Sequence, residues 1–153
     1  MTRTGIMPDD IAVSVQRIEP DHGEPAAQLI DCLEDMAAML ALHDCRGTEQ
    51  DLEQLELDGY FDPDNLHSPR ITSKEARLLA AAWALEATRT PSGTELLLTY
   101  GGPTISLKVT AKTVRLERHW TGSDWAETSL PAAIVTARDW VRRYGNIVGR
   151  DPR

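Results

Sequence analysis

The spacing of apolar residues changes in the middle of the chain, and this change constrains the fold more than any other feature. Between about residues 25 and 90, apolar side chains recur with the 3.6-residue period of a helix. Residues 94–128 instead alternate apolar and polar side chains, as in Ile105-Ser106-Leu107-Lys108-Val109. Such alternation indicates antiparallel strands that bury one face. Because the helical and strand patterns are segregated, we predict an α+β fold and not a doubly wound parallel sheet.

Four helices are predicted from periodicity and capping residues. They cover residues 25–43, 49–57, 73–89 and 131–144. Pro25 and Pro131 suit first helical positions, and Thr48 is a candidate N-cap. Thr72 and Glu75 have the spacing of a capping box.

The alternating region predicts a three- to four-stranded antiparallel meander, packed by helices. Its strands cover residues 96–99, 105–110, 114–117 and, as a short fourth strand, 125–128. A further short strand is predicted where Ile11, Val13 and Val15 alternate with other residues. The intervening residues 58–72 are expected to form a loop from which Tyr60-Phe61 enters the core.

These elements divide the chain into four segments, which we expect to form one compact domain. They are an N-terminal segment with a short strand (1–23), an acidic helical part (24–72), a helix–meander–helix core (73–145) and a tail (146–153).

Charge is distributed unevenly along the chain. Residues 1–69 contain sixteen acidic and three basic residues, whereas residues 70–153 contain eight acidic and thirteen basic residues. An acidic segment repels nucleic acid and attracts basic protein surfaces. We therefore expect a partner with a basic surface and no direct nucleic-acid binding.

An acidic cluster and two tryptophans are the candidate partner-binding residues. The cluster consists of Glu49, Asp51, Glu53, Glu56, Asp58, Asp62 and Asp64. A solvated face that only confers solubility is the alternative interpretation. Trp120 and Trp125 flank a polar turn. They are interface anchors, or they cover the open end of the meander against the last helix.

No motif indicates catalysis or a cofactor. His43 and Cys45 are close in sequence, but a structural zinc site needs a second pair of ligands. Asp62-x-Asp64 lacks the glycine and glutamate of a calcium loop. We expect no catalytic residue, metal or cofactor.

Cysteine usage and hydropathy predict a cytoplasmic protein. Cys32 and Cys45 are too far apart on one predicted helix for a disulfide, so we expect reduced thiols. Neither a transmembrane helix nor a secretory signal is evident.

The segment ELLLTYGGPTI (residues 95–105), followed by a tryptophan-containing hairpin and a final helix, resembles uncharacterised proteins of bacteriophages and integrative elements. The resemblance covers about residues 72–144. It implies a small accessory protein of a mobile element and implies no catalytic residues. Those relatives often have an arginine-rich second strand, where this chain has Ser106 and Lys108.

The leading interpretation is a non-enzymatic inhibitor of a bacterial nucleic-acid-targeting defence complex, either anti-CRISPR or anti-restriction. A carboxylate cluster can occupy a basic channel in place of phosphates. An immunity or antitoxin-type protein that neutralises a basic nuclease toxin is the first alternative. A monomer and a homodimer are both compatible with the sequence.

A small enzyme or nucleic-acid-binding domain is the second alternative. Arg138, Arg142 and Arg143 lie outside the apolar face of the last helix. The predicted order over residues 73–144 also matches double-stranded-RNA-binding domains, although Leu130-Pro131-Ala132-Ala133 replaces their basic cluster.

Overall fold

A computed structural model describes residues 11–15, 25–62, 64–119 and 122–149 of the chain. Its helices are α1 (Pro25–His43), α2 (Glu49–Gln54), α3 (Ser73–Trp83) and α4 (Pro131–Tyr144). Its strands are β1 (Ile11–Val15), β2 (Phe61–Asp62), β3 (Asn65–Pro69), β4 (Glu86–Thr90), β5 (Gly93–Thr99), β6 (Thr104–Thr110), β7 (Val114–His119) and β8 (Ser123–Thr128). A short 3-10 turn spans Asp58–Tyr60.

The main sheet is antiparallel, with strand order β1-β8-β7-β6-β5-β4. Strands β4 to β8 form a meander of sequential neighbours, and β1 pairs with β8 at one edge. This confirms the α+β class and the meander. The meander has five strands and not three to four, because β4 had been predicted as helix; the separately predicted strand at Ile11–Val15 is β1.

The end of the third predicted helix was wrong. Residues 73–89 were expected to be helical, but α3 ends at Trp83 and β4 begins at Glu86. Strand β4 pairs with β5 across a tight turn in which Thr90 faces Gly93. As an edge strand, β4 buries little of either face, so its sequence lacks the alternation that identifies an inner strand.

Two smaller boundaries also differ from prediction. Helix α2 ends at Gln54 and not at residue 57, and Glu56 adopts a left-handed backbone with φ of 60°. The expected loop over 58–72 contains the β2–β3 hairpin. Tyr60 is 41% exposed and is not in the core. The side chain of Phe61 lies outside the described part of the structure.

The core lies between the helices and one face of the main sheet. Paired residues Leu96, Leu107 and Leu116 form a buried row across β5, β6 and β7. On the helical side, Trp140 of α4 packs edge to face against Trp83 and Tyr144, with ring centroids 5.2 and 5.3 Å away. Because α1 and α4 both contact this face, the sheet presents its other face outward.

Capping fixes the start of α3, as predicted. The backbone N–H of Glu75 donates to Thr72 Oγ1 at 3.2 Å, and the backbone N–H of Thr72 donates to Glu75 Oε1 at 3.2 Å. The two bonds satisfy donors that a helix start otherwise leaves unpaired.

A buried ion pair joins the sheet to α1. Arg118 of β7 is 5% exposed, and its partner Asp124 of β8 is 7% exposed. Arg118 Nε donates to Asp124 Oδ1 at 2.6 Å, and Nη2 donates to Oδ2. Arg118 Nη1 also donates to Gln28 Oε1 on α1 at 3.1 Å. These contacts hold the start of α1 against β7.

Candidate protein-binding surface

Helices α1 and α2 pack side by side, and Gln54 of α2 links them through two aspartates of α1. Gln54 of α2 donates through Nε2 to Asp31 Oδ1 at 2.8 Å and to Asp35 Oδ1 at 2.7 Å. Asp31 and Asp35 are one turn apart on α1. We use the name α1–α2 surface for the acidic side chains Asp31 and Asp35 of α1, Glu49 and Glu53 of α2, and Glu56 just after α2.

The predicted acidic cluster is only partly available to a partner. Glu49, Glu53, Glu56 and Asp64 are exposed. Asp51 is 5% exposed and accepts hydrogen bonds from the backbone N–H of Thr48 at 2.7 Å and from Thr48 Oγ1 at 3.1 Å. Its role is therefore to cap α2, and its inclusion among the exposed partner-binding residues was wrong.

The side chains of three predicted site residues, Asp58, Asp62 and Trp120, lie outside the described part of the structure. The backbones of Asp58 and Asp62 lie in the 3-10 turn and in β2. Trp120 lies outside the described residues.

Little positive charge balances the α1–α2 surface. Residues 25–62 contain ten acidic residues and one arginine, Arg46. Arg46 pairs with Asp44 at 2.8 Å, and Asp44 also pairs with Arg143 of α4 at 2.6 Å. Hydrogen bonds from Arg143 and Arg46 lower the pKa of Asp44. The one arginine of this segment, which has no lysine, is thus already paired with Asp44, the residue that follows α1.

A cavity of about 250 Å³ opens beside Asp31 and Asp35, between α1, α3 and the sheet. Trp83 forms one wall and donates through Nε1 to Asp35 Oδ2 at 3.2 Å. Burial raises the pKa of Asp35, nearby Asp31 and Glu34 raise it further, and hydrogen bonds from Gln54 and Trp83 oppose the rise. A cation entering this cavity would relieve the repulsion among the carboxylates.

The raised pKa of Asp35 gives a pH-dependent prediction. The folded protein holds the Asp35 proton more tightly than the unfolded chain, so stability falls as pH rises from about 4 to the folded pKa. Asp35→Asn removes this loss. We expect the variant to become more stable relative to wild type across that window, as measured by urea unfolding between pH 4 and 8. A stability difference that is constant over this range would contradict the assignment.

The described side chains do not favour metal or thiol chemistry. Burial, followed by the charges of Asp35 and Asp31, raises the pKa of the Cys32 thiol, which keeps it protonated and weakly nucleophilic. Cys45 is exposed, and both cysteines are free thiols. Among the described residues, no group of three His, Cys, Asp or Glu side chains is arranged to hold a metal ion.

Trp125 lies apart from the α1–α2 surface, on the outward face of the sheet. Its neighbours along β8, Asp124 and Ala126, are buried on the helical face, so Trp125 points away from α4. The interpretation that Trp125 packs against the last helix was therefore wrong. The Arg115 guanidinium lies 4.0 Å from the Trp125 ring centroid, and Arg115 Nε pairs with Glu117 at 2.7 Å.

Two observations weaken the alternative of a nucleic-acid-binding domain. Five strands separate α3 from α4, so the order differs from that of a double-stranded-RNA-binding domain. Arg143 is half-buried and pairs with Asp44 and Asp139. Arg138 and Arg142 are exposed.

Comparisons of the chain with protein-family models, curated proteins and solved structures give no match. No helix in the described ranges is long and apolar enough to cross a membrane.

Proposed function

We propose that the chain is a non-enzymatic protein of a bacteriophage or mobile element. In this proposal it inhibits a nucleic-acid-targeting defence complex of the bacterial host, such as a CRISPR–Cas or restriction complex. The α1–α2 surface occupies a lysine- and arginine-lined channel that would otherwise hold nucleic acid.

The observation that carries the proposal is the excess of carboxylates on the packed helices α1 and α2, since residues 25–62 hold ten acidic residues and one arginine. Glu49, Glu53 and Glu56 are exposed, and Gln54 of α2 binds Asp31 and Asp35 of α1. Carboxylates on a packed helical pair can replace phosphates against a basic channel, with fast and salt-sensitive association.

The cavity beside Asp35 suggests how a partner could be anchored. Two carboxylates, the Trp83 ring and aliphatic side chains line it. This combination suits the long, partly apolar side chain of a lysine or arginine, whose charged end would meet Asp31 and Asp35. One basic side chain of the partner would then be desolvated in the cavity, and its other basic side chains would contact the exposed glutamates.

Neutralising the exposed glutamates tests the proposal. We expect the triple variant Glu49→Gln, Glu53→Gln, Glu56→Gln to remain folded, because all three side chains are exposed. At low salt, its association rate with the target should fall by roughly tenfold or more. The measurement is phage plaque formation on a strain with an active CRISPR–Cas or restriction system, with and without the expressed protein. Wild type should restore plaques and the variant should not.

A matched control changes the net charge equally at exposed positions elsewhere. Thr88→Lys, Tyr100→Lys and Ala132→Lys together add three positive charges away from α1 and α2. We expect this control to inhibit like wild type. Equal inhibition by wild type and the glutamine variant would exclude the acidic mechanism, and no protection by wild type against any such system would reject the function.

A further inference from the structure

A second recess lies on the side of the molecule formed by α4 and the β4–β5 hairpin. It is an open groove of about 890 Å³, and none of its lining residues belongs to α1 or α2. The turn over Pro91-Ser92-Gly93 forms one wall, and α4 forms the other. The groove is thus separate from the α1–α2 surface and independent of its proposed function.

Three arginines line this groove. Arg89 comes from β4, and Arg138 and Arg142 lie one turn apart on α4. The only acidic side chain in the lining is Asp139, whose carboxylate accepts from Arg142 and from Arg143 Nε. Within the described ranges, Arg89 and Arg138 form no ion pair, so the groove carries uncompensated positive charge.

Helix stabilisation does not account for all of these arginines. Arg142 and Arg143 are in the last turn of α4, where cations complement the negative end of the helix dipole. Arg138 lies before that turn, and Arg89 lies on a strand. Because both residues line one groove, their positive charges can act together on an anionic ligand.

The rest of the lining indicates the size and character of that ligand. Ile134, Val135 and Val141 give the groove an apolar side, and Val135 is 67% exposed. The lining has no aromatic ring on which the bases of a single strand could stack. A net charge of −8 also opposes a long polyanion. A short anion with an apolar part fits these features.

We propose that the groove binds a small phosphate-bearing organic molecule. Its phosphates contact Arg89 and Arg138, because the guanidinium fork matches two phosphate oxygens. Its organic part lies along Ile134 and Val135.

The test is isothermal titration calorimetry of the full chain at low salt with two probes, ATP and inorganic pyrophosphate. We expect ATP to bind more tightly than pyrophosphate, since only ATP can cover the apolar side. In the variant Arg89→Gln, Arg138→Gln, the dissociation constant for ATP should rise at least about tenfold. Arg138→Gln alone, at an exposed helical position, serves if the double variant does not fold.

The control removes the same charge from α3. Lys74→Gln with Arg77→Gln replaces two exposed cations outside the groove lining, and ATP affinity should stay within about twofold of wild type. If both variants lost the same ATP affinity, the effect would come from net charge alone, and the proposed site would be wrong. Absence of binding heat with both ATP and pyrophosphate at millimolar concentration would also overturn the site. If a twenty-nucleotide single strand bound more tightly than ATP, the groove would be a nucleic-acid-binding surface and the small-molecule proposal would be wrong.

Discussion

Arg118→Met should destabilise the protein by about 3–5 kcal/mol. The substitution leaves the Asp124 carboxylate buried without its arginine, at a position that is 7% exposed. Gln28 of α1 also loses the hydrogen bond that Arg118 Nη1 donates. An isolated buried charge costs far more than the intact pair contributes, which is why one substitution has so large an effect. The measurement is the free energy of unfolding from urea denaturation at pH 7.

The double variant Arg118→Met, Asp124→Leu separates the cost of the buried charge from the value of the pair. Because both charges are replaced by apolar side chains, we expect its stability to return to near that of wild type or to exceed it. Arg115→Met on the same strand is the comparison, since that arginine is on the outward face and 30% exposed. It should cost no more than about 1 kcal/mol. If Arg118→Met also lowered the free energy of unfolding by only about 1 kcal/mol, the expected cost of the unpaired Asp124 charge would be wrong.

Trp140→Ala should cost about 3–5 kcal/mol by opening a cavity where α4 meets α3 and the sheet. Trp140 is fully buried, and its ring contacts both Trp83 and Tyr144 edge to face. Neighbouring rings held by the rest of the core cannot fill the space that the indole leaves. Thermal unfolding followed by circular dichroism would show a large fall in Tm.

Val135→Ala on the same helix is the matched control for Trp140→Ala. Val135 is 67% exposed, so its truncation should change stability by no more than about 0.5 kcal/mol. Trp140→Phe keeps a buried ring and should lose much less than the alanine variant. If Trp140→Ala were as stable as Val135→Ala, the packing of Trp140 in the core would contribute little to stability, and this prediction would be wrong.

Features decided by near neighbours could be predicted from the sequence. The start of α1 at Pro25 and the capping box of Thr72 with Glu75 depend on residues within one turn of each other. The inner strands β6 and β7 alternate clearly because one face of each is buried and the other is not.

The tertiary structure alone decided which distant residues meet. Asp31 and Asp35 had no pattern linking them to α2 until Gln54 was seen to contact both. Asp51 resembles its exposed acidic neighbours in sequence, yet capping turns it inward. Arg89 could not be assigned to the groove with α4, because its strand β4 had been predicted as helix.

The physical reason for this division is the range of the interactions. Periodicity and capping record free energies between residues a few positions apart, and these appear directly in the sequence. The Arg118–Asp124 pair, the acidic α1–α2 surface and the arginine-lined groove depend on how whole elements pack. Packing is set by the summed burial of the core, which no local pattern records. The sequence therefore determined the element types and the charge of each part, and the packing of elements determined the sites.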